Sequence, residues 1–264
     1  MNRPLVDVRL ERVSAQDVAH GPIEDVDLYI RHGEFFTVVG AQRSGKSMLL
    51  RLVGGFAKPR AGRVLVDGQD VTRMPAGRRE MGFVFQDGAL WPHLSVFDHV
   101  AFGLRARSAP RERIQRHVPV VIGRLGLAGL EGRRPAALTL DQQRRLALAR
   151  ALAVEPRVLL LDEPLAHLEP AARKARLLEL ARLHADLAVT TLHATRDAAD
   201  ALALSDRIAV LDGGRVIQVG EPPELYWRPR NRLVAEALGP ANLLPVRVVE
   251  IRDTGSGIPP ETLK

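Results

Sequence analysis

Eight residues constrain this chain more than any others: Gly40-Ala41-Gln42-Arg43-Ser44-Gly45-Lys46-Ser47, which fits G-x-x-x-x-G-K-S. Before them, Phe35 to Val39 is a short apolar run that reads as a strand. After them, Lys46 to Val53 reads as a helix, closed by Gly54-Gly55. A strand, a glycine-bounded loop and a helix, in that order, is the context in which the pattern has physical meaning. Gly40 and Gly45 are expected to let the backbone curl so that successive N–H groups point inward. Those donors and the helix N-terminus together favour a polyphosphate. Lys46 adds a point charge, and the Ser47 hydroxyl is suited to Mg²⁺. Met48 closes the predicted binding loop.

The second half of such a site is an acidic strand end, and Val158-Leu159-Leu160-Leu161-Asp162-Glu163 supplies it. Four consecutive aliphatics predict a strand buried on both faces. Asp162 at its end is expected to hold Mg²⁺ through water, and Glu163 to polarise an attacking water. Carboxylates and phosphates repel, so a cation between them is what makes the arrangement workable. The predicted catalytic pair is Glu163 and Lys46; the predicted metal set is Ser47, Gln86 and Asp162.

Alternation marks strands at Leu5 to Leu10 and at Val26, Leu28 and Ile30, and Arg63 to Val66 with Asp67-Gly68 predicts a hairpin. The stretch from about 90 to 154 reads as mainly helical, at Val96 to Leu104, Val118 to Leu125 and Gln142 to Leu152. Two further helix-strand units run to about Val219. The predicted fold is α/β, a P-loop NTPase core with an N-terminal antiparallel β-subdomain and an inserted helical subdomain. The expected domain covers 1–238, followed by a tail over 239–264.

In motif order and spacing the chain resembles the ATP-binding cassette family from about Leu5 to Val248. Phe83-Val84-Phe85-Gln86-Asp87 looks like the family's Q-loop, and Leu138-Thr139-Leu140-Asp141-Gln142 stands where its L-S-G-G-Q signature belongs. Gln143 to Leu152 matches the family closely, and Pro164 to Glu169 occupies the D-loop. Gly220 to Tyr226 and Ala241 to Pro245 are similar to importers of sugars, polyamines, iron or sulfate-like anions. The resemblance implies ATP and Mg²⁺ as ligands, with Gln86 as a Mg²⁺ ligand and sensor of membrane subunits. It implies a second ATP-binding subunit, each ATP lying between the loop at 40–47 of one copy and Thr139, Leu140, Asp141 and Gln142 of the other. It further implies transmembrane permease partners and a cytoplasmic location on the inner face of the cell membrane.

Several positions depart from the family pattern. Leu140 and Asp141 replace glycines in the signature, so bulk and negative charge are expected to face a phosphate. Two unit charges about 4 Å apart repel by roughly 4 kcal/mol at an effective dielectric near 20. Alternatively, Asp141 caps a helix beginning at Gln142 and points away. Ala194-Thr195-Arg196-Asp197 lies on the family's V-T-H-D, so Arg196 replaces the switch histidine, while His193 reads as an ordinary strand residue. No aromatic stands at Ala15 to Ala19, where the family stacks adenine. Met48 replaces a second hydroxyl, and Glu169 the D-loop aspartate. A hydrolysis-deficient regulatory or asymmetric-pair subunit is therefore the alternative to a working ATPase.

Composition narrows the remaining options. There are no cysteines, which excludes disulfides and thiolate metal sites. The net charge of +7 comes mostly from arginines scattered along the chain, with no dense basic run interleaved with aromatics, so no nucleic-acid partner is expected. The N-terminus shows no signal-peptide pattern. In the tail, Val246 to Arg252 alternates like the start of an accessory β-domain that is not completed, and Asp253 to Glu261 resembles a D-x-G-x-G box.

Overall fold

The computed structural model describes residues 6–187 and 189–239. The readings at Val246 to Arg252 and Asp253 to Glu261 lie outside the described residues. In chain order the elements are β1 (Val8–Ala15), β2 (Ile23–Ile30), β3 (Phe35–Val39), α1 (Lys46–Gly54), β4 (Ala61–Val66), β5 (Gln69–Asp70) and β6 (Met81–Val84). Then come α2 (Val96–Ala106), α3 (Arg111–Arg124), α4 (Leu140–Ala153), β7 (Val158–Asp162), α5 (Pro170–Leu187) and β8 (Thr190–Thr195). The last are α6 (Ala198–Leu204), β9 (Arg207–Asp212), β10 (Arg215–Gly220), α7 (Pro222–Trp227) and α8 (Arg232–Leu238).

The strands form a four-stranded antiparallel sheet, β2-β1-β4-β5, and a six-stranded sheet, β10-β9-β3-β8-β7-β6. In the second sheet β9, β3, β8, β7 and β6 run parallel and β10 closes the edge antiparallel. The fold is therefore α/β, with the helices α2 to α4 between β6 and β7. Every residue of β3, β7 and β8 is buried, as parallel strands covered on both faces should be.

Amphipathic patterning divides the interior into apolar clusters. One joins the antiparallel sheet to α1 and one face of the parallel sheet, through Leu10, Ile30, Leu49, Phe36 and Leu160. A second joins the opposite face to α2–α5, through Phe35, Val100, Ile122, Leu146 and Leu161. Because both faces of β3 and β7 are covered, the positions of their C-terminal ends are tightly fixed. Register sets Val39 beside Thr195 and Asp162 beside Ala194. The residues following three neighbouring strands thus emerge along one edge, where ligands of open parallel sheets bind.

Several boundaries differ from expectation, the largest shift being at α3, which begins at Arg111 rather than Val118. The first strand begins at Val8 and runs on to Ala15, although Val6 is already buried. Helix α4 begins at Leu140, two residues before the predicted Gln142, because Thr139 caps it: its hydroxyl accepts the Gln142 N–H at 3.2 Å, and Gln142 Oε1 accepts the Thr139 N–H at 2.9 Å. That reciprocal pair is a capping box. Asp141 is consequently one residue inside the helix and is not its cap.

Candidate functional site

The loop from Gly40 to Ser47 leaves the end of β3 and enters α1. Gly45 takes φ of 105°, and a Cβ there would lie 2.3 Å from the Pro22 carbonyl oxygen. Gly40 is required for a different reason: a Cβ there would meet the Leu211 carbonyl oxygen at 2.2 Å. So Gly45 gives the left-handed turn, while Gly40 allows the loop to pass against β9. Arg43 adds a second left-handed residue, φ 62°. Ala41, Gln42 and Arg43 are exposed, while Ser44 and Lys46 are buried.

Lys46 Nζ folds back onto its own loop, donating to the carbonyls of Gly40 and Ala41 at 2.7 Å each. Burial pushes its pKa down from 10.5 to about 8, opposed by the charges of Glu163 and Asp162. The acidic strand end is thus close enough for its charge to be felt at the lysine. The Ser47 hydroxyl donates to Asp162 Oδ1 at 2.9 Å. Burial raises the Asp162 pKa, against the hydrogen bond from Ser47. A hydroxyl and a buried carboxylate in contact, both hard oxygen donors, suit Mg²⁺.

Met48 does not extend the loop's polar surface. Its side chain is 3% exposed and lies in the apolar cluster beneath the antiparallel sheet. The helical turn at Lys46–Gly54 directs it inward, so only its backbone N–H remains near the site. Gln86 is exposed and follows β6, whose Val84 pairs with Leu161 of β7. Gln86 therefore leaves the same sheet edge as Asp162.

Glu163 sits one residue beyond β7 in the left-handed region, φ 46°, with its N–H on the Ala194 carbonyl at 2.9 Å. Its carboxylate accepts from Arg196 Nε at 2.9 and 3.0 Å. His193, by contrast, is fully buried on β8, where its Nδ1 lies 3.1 Å from Thr37 Oγ1. Burial lowers its pKa to about 3, so it is a neutral core residue. Arg196, which the ungapped count from Asp206 sets in place of the histidine, is the residue that faces Glu163.

The segment Thr139–Gln142 lies at the start of α4. Leu140 is 43% exposed. Asp141 lies 3.0 Å from Arg145 and 3.2 Å from Arg176, so its charge is balanced within the chain. Arg145 lies one helical turn from Asp141 and was within reach of sequence reasoning, whereas Arg176 belongs to α5, beyond local spacing. Sequence reasoning also missed Arg144 and Arg150, which reach from α4 to the loop after β6. Arg144 donates to the Gln86 carbonyl, Arg150 Nη2 to the Gly88 carbonyl at 2.9 Å, and the Arg150 guanidinium covers the Trp91 ring. Beside this clamp lies a groove of about 570 Å³, lined by Phe56, Phe83, Phe85, Trp91 and Phe102 among others. Grouped aromatics from four separate segments leave little trace in a linear pattern. Among the described residues, no helix is long and apolar enough to cross a membrane.

Comparison with known proteins supplies the context for this geometry. Residues 23–166 match the family described as ABC transporter. The chain is 44% identical over 229 residues to a spermidine/putrescine import ATP-binding protein, PotA, of Acidothermus cellulolyticus, covering 87% of this chain and 60% of that protein. It is also 44% identical over 239 residues to a sulfate/thiosulfate import ATP-binding protein, CysA, of Mycolicibacterium paratuberculosis, covering 90% and 66%. The chain thus spans less than two thirds of the length of these curated relatives. Among solved structures, it is similar to cbiO1 of Clostridium perfringens, part of a transporter complex (TM-score 0.74, 29% identity, 84% of this chain and 90% of that one). It is similar too to the dimeric ATP-binding cassette MJ0796 with ADP and Pi (TM-score 0.73, 27% identity, 81% and 98%).

Proposed function

Since this chain belongs to the ABC transporter family, we propose that it is the ATP-binding subunit of an importer, coupling ATP binding and hydrolysis to solute movement across a membrane. The observation that carries this reading is the meeting of Lys46, Ser47, Asp162 and Glu163 at one edge of the parallel sheet. Each residue there has a role that follows from its chemistry.

The backbone N–H groups of Gly40 to Met48 and the N-terminus of α1 bind the β- and γ-phosphates. A phosphate oxygen draws Lys46 Nζ away from the carbonyls of Gly40 and Ala41, replacing two neutral acceptors with an anionic one. Ser47, Asp162 and Gln86 would hold Mg²⁺, which would offset phosphate charge when bound. Glu163 orients a water and takes its proton as the water oxygen bonds to the terminal phosphorus. The bond from that phosphorus to the bridging oxygen breaks, leaving ADP and phosphate. The buried Lys46 balances the charge that develops.

Membrane coupling draws on the aromatic groove. Its floor and rim come from α1, β6, α2 and the loop that carries Gln86, so a permease segment seated there would press directly on that loop. Thr139 to Gln142 would meet the nucleotide of a second ATP-binding subunit. On this reading the chain is cytoplasmic and held at the inner membrane face by its permease, within a domain spanning 1–238 whose helical part is about 90–154. The solute follows from the permease and is not encoded in these residues. The test is phosphate release from Mg-ATP by the purified chain with its membrane partners. Glu163→Gln should reduce it to background; release that is unchanged in that variant sinks the catalytic assignment.

A further inference from the structure

Glu163 and Arg196 form an ion pair at the point where the attacking water must be handled. Arg196 Nε contacts both carboxylate oxygens, at 2.9 and 3.0 Å. A carboxylate whose two oxygens share a guanidinium donor is a poor acceptor for a water proton. Meanwhile Nη1 and Nη2 of Arg196 have no hydrogen-bond partner among the described residues, and the side chain is 41% exposed. The guanidinium is therefore engaged on one edge and open on the other. Its charge also acts on Lys46, lowering that pKa.

The backbone on both sides of Arg196 is pinned. The Asp197 N–H donates to Thr195 Oγ1 at 3.0 Å, and Asp197 Oδ1 accepts the N–H groups of Ala199 and Asp200 at 2.8 and 3.2 Å. Arg173 of α5 pairs with Asp197 at 2.8 Å and with Asp200 at 2.6 Å. Glu163 is fixed likewise by its N–H on Ala194. With both backbones held, the pair opens through side-chain rotation.

Resting on the nucleotide site described above, we propose that Arg196 is a positioning residue that latches Glu163 until a terminal phosphate opens the pair. A γ-phosphate beside Lys46 carries more charge than one carboxylate and offers oxygens in the geometry that a guanidinium fork matches. It draws the guanidinium over, and Glu163 becomes free to hold water only when there is a phosphate to attack. ADP presents no such group and leaves the latch closed.

A double-mutant cycle on the full chain tests this, using calorimetric binding of Mg with β,γ-imido-ATP and, separately, with ADP. Glu163→Gln removes the competing charge and should tighten imido-ATP relative to ADP by about tenfold, within the usual range for coupled groups. In the Arg196→Ala background the same change should give a clearly smaller gain, because only direct carboxylate–phosphate repulsion is left to relieve; Arg196→Met, which keeps the apolar stem, repeats the cycle should the alanine variant not fold. An equal gain from Glu163→Gln with and without Arg196 overturns the latch alone. Failure of the unmodified chain to bind either nucleotide overturns the site assignment and the latch together.

Discussion

The Ser47 hydroxyl donates to Asp162 Oδ1 at 2.9 Å, joining the start of α1 to the end of β7 across 115 residues of chain. This contact brings a hydroxyl and a buried carboxylate together where a divalent ion and a phosphate can share them. Asp162→Ala should therefore remove the Mg²⁺ dependence of nucleotide binding while leaving metal-free binding measurable. Titrating nucleotide with and without Mg²⁺ checks this. An unchanged metal requirement in the variant would show that the ion is held elsewhere.

The depressed pKa of Lys46 sets a pH window. In the nucleotide-free protein burial brings it to about 8 from 10.5. Below about 8 the ammonium is present to meet phosphate; above it the group is neutral. Mg-ADP affinity should thus be highest below pH 8 and fall above it, approaching about tenfold per pH unit. The stability term has the opposite sign. Between pH 8 and 10.5 the unfolded chain holds more protons at this site, so the contribution of Lys46 to stability rises with pH. Calorimetry from pH 6.5 to 9.5 on the native chain and Lys46→Met separates this from other titrations, because the variant should lose the fall.

At the start of α4, the two departures from glycine are not equivalent. Asp141 is already paired with Arg145 and Arg176, whereas the Leu140 side chain stands exposed. Leu140→Gly should raise phosphate release in the assembled transporter more than Asp141→Gly does. Asp141→Gly should instead lower stability by about 1 kcal/mol, through two guanidiniums left facing each other. Steady-state rates and thermal unfolding of both variants check the ordering; a larger rate gain from Asp141→Gly would mean its charge does oppose the phosphate.

The strand-loop-helix around Lys46 was legible because each part is local: five apolar residues, a glycine turn, then helical spacing. The same holds for β7, whose aliphatic run ends in the two acids. What sequence could not convey is how distant side chains settle their charges. The bond between Arg196 and Glu163 spans two helix-strand boundaries, and the arginines that balance Asp141 lie on two helices. Arg79 makes the same point: a surface-type residue by composition, it is buried and donates to the carbonyls of Leu52 and Val53 at the end of α1. Met48 shows the same limit: alignment to a hydroxyl position says nothing of its side chain's direction, which the helix turns into the core.

The most direct test of the account is the dissociation constant of Mg-ATP for the purified 264-residue chain beside its Lys46→Ala variant. The account predicts saturable binding by the native chain at millimolar nucleotide or below, weakened at least about tenfold in the folded variant. Equal affinity in the two proteins, or no binding by the folded native chain, would contradict it.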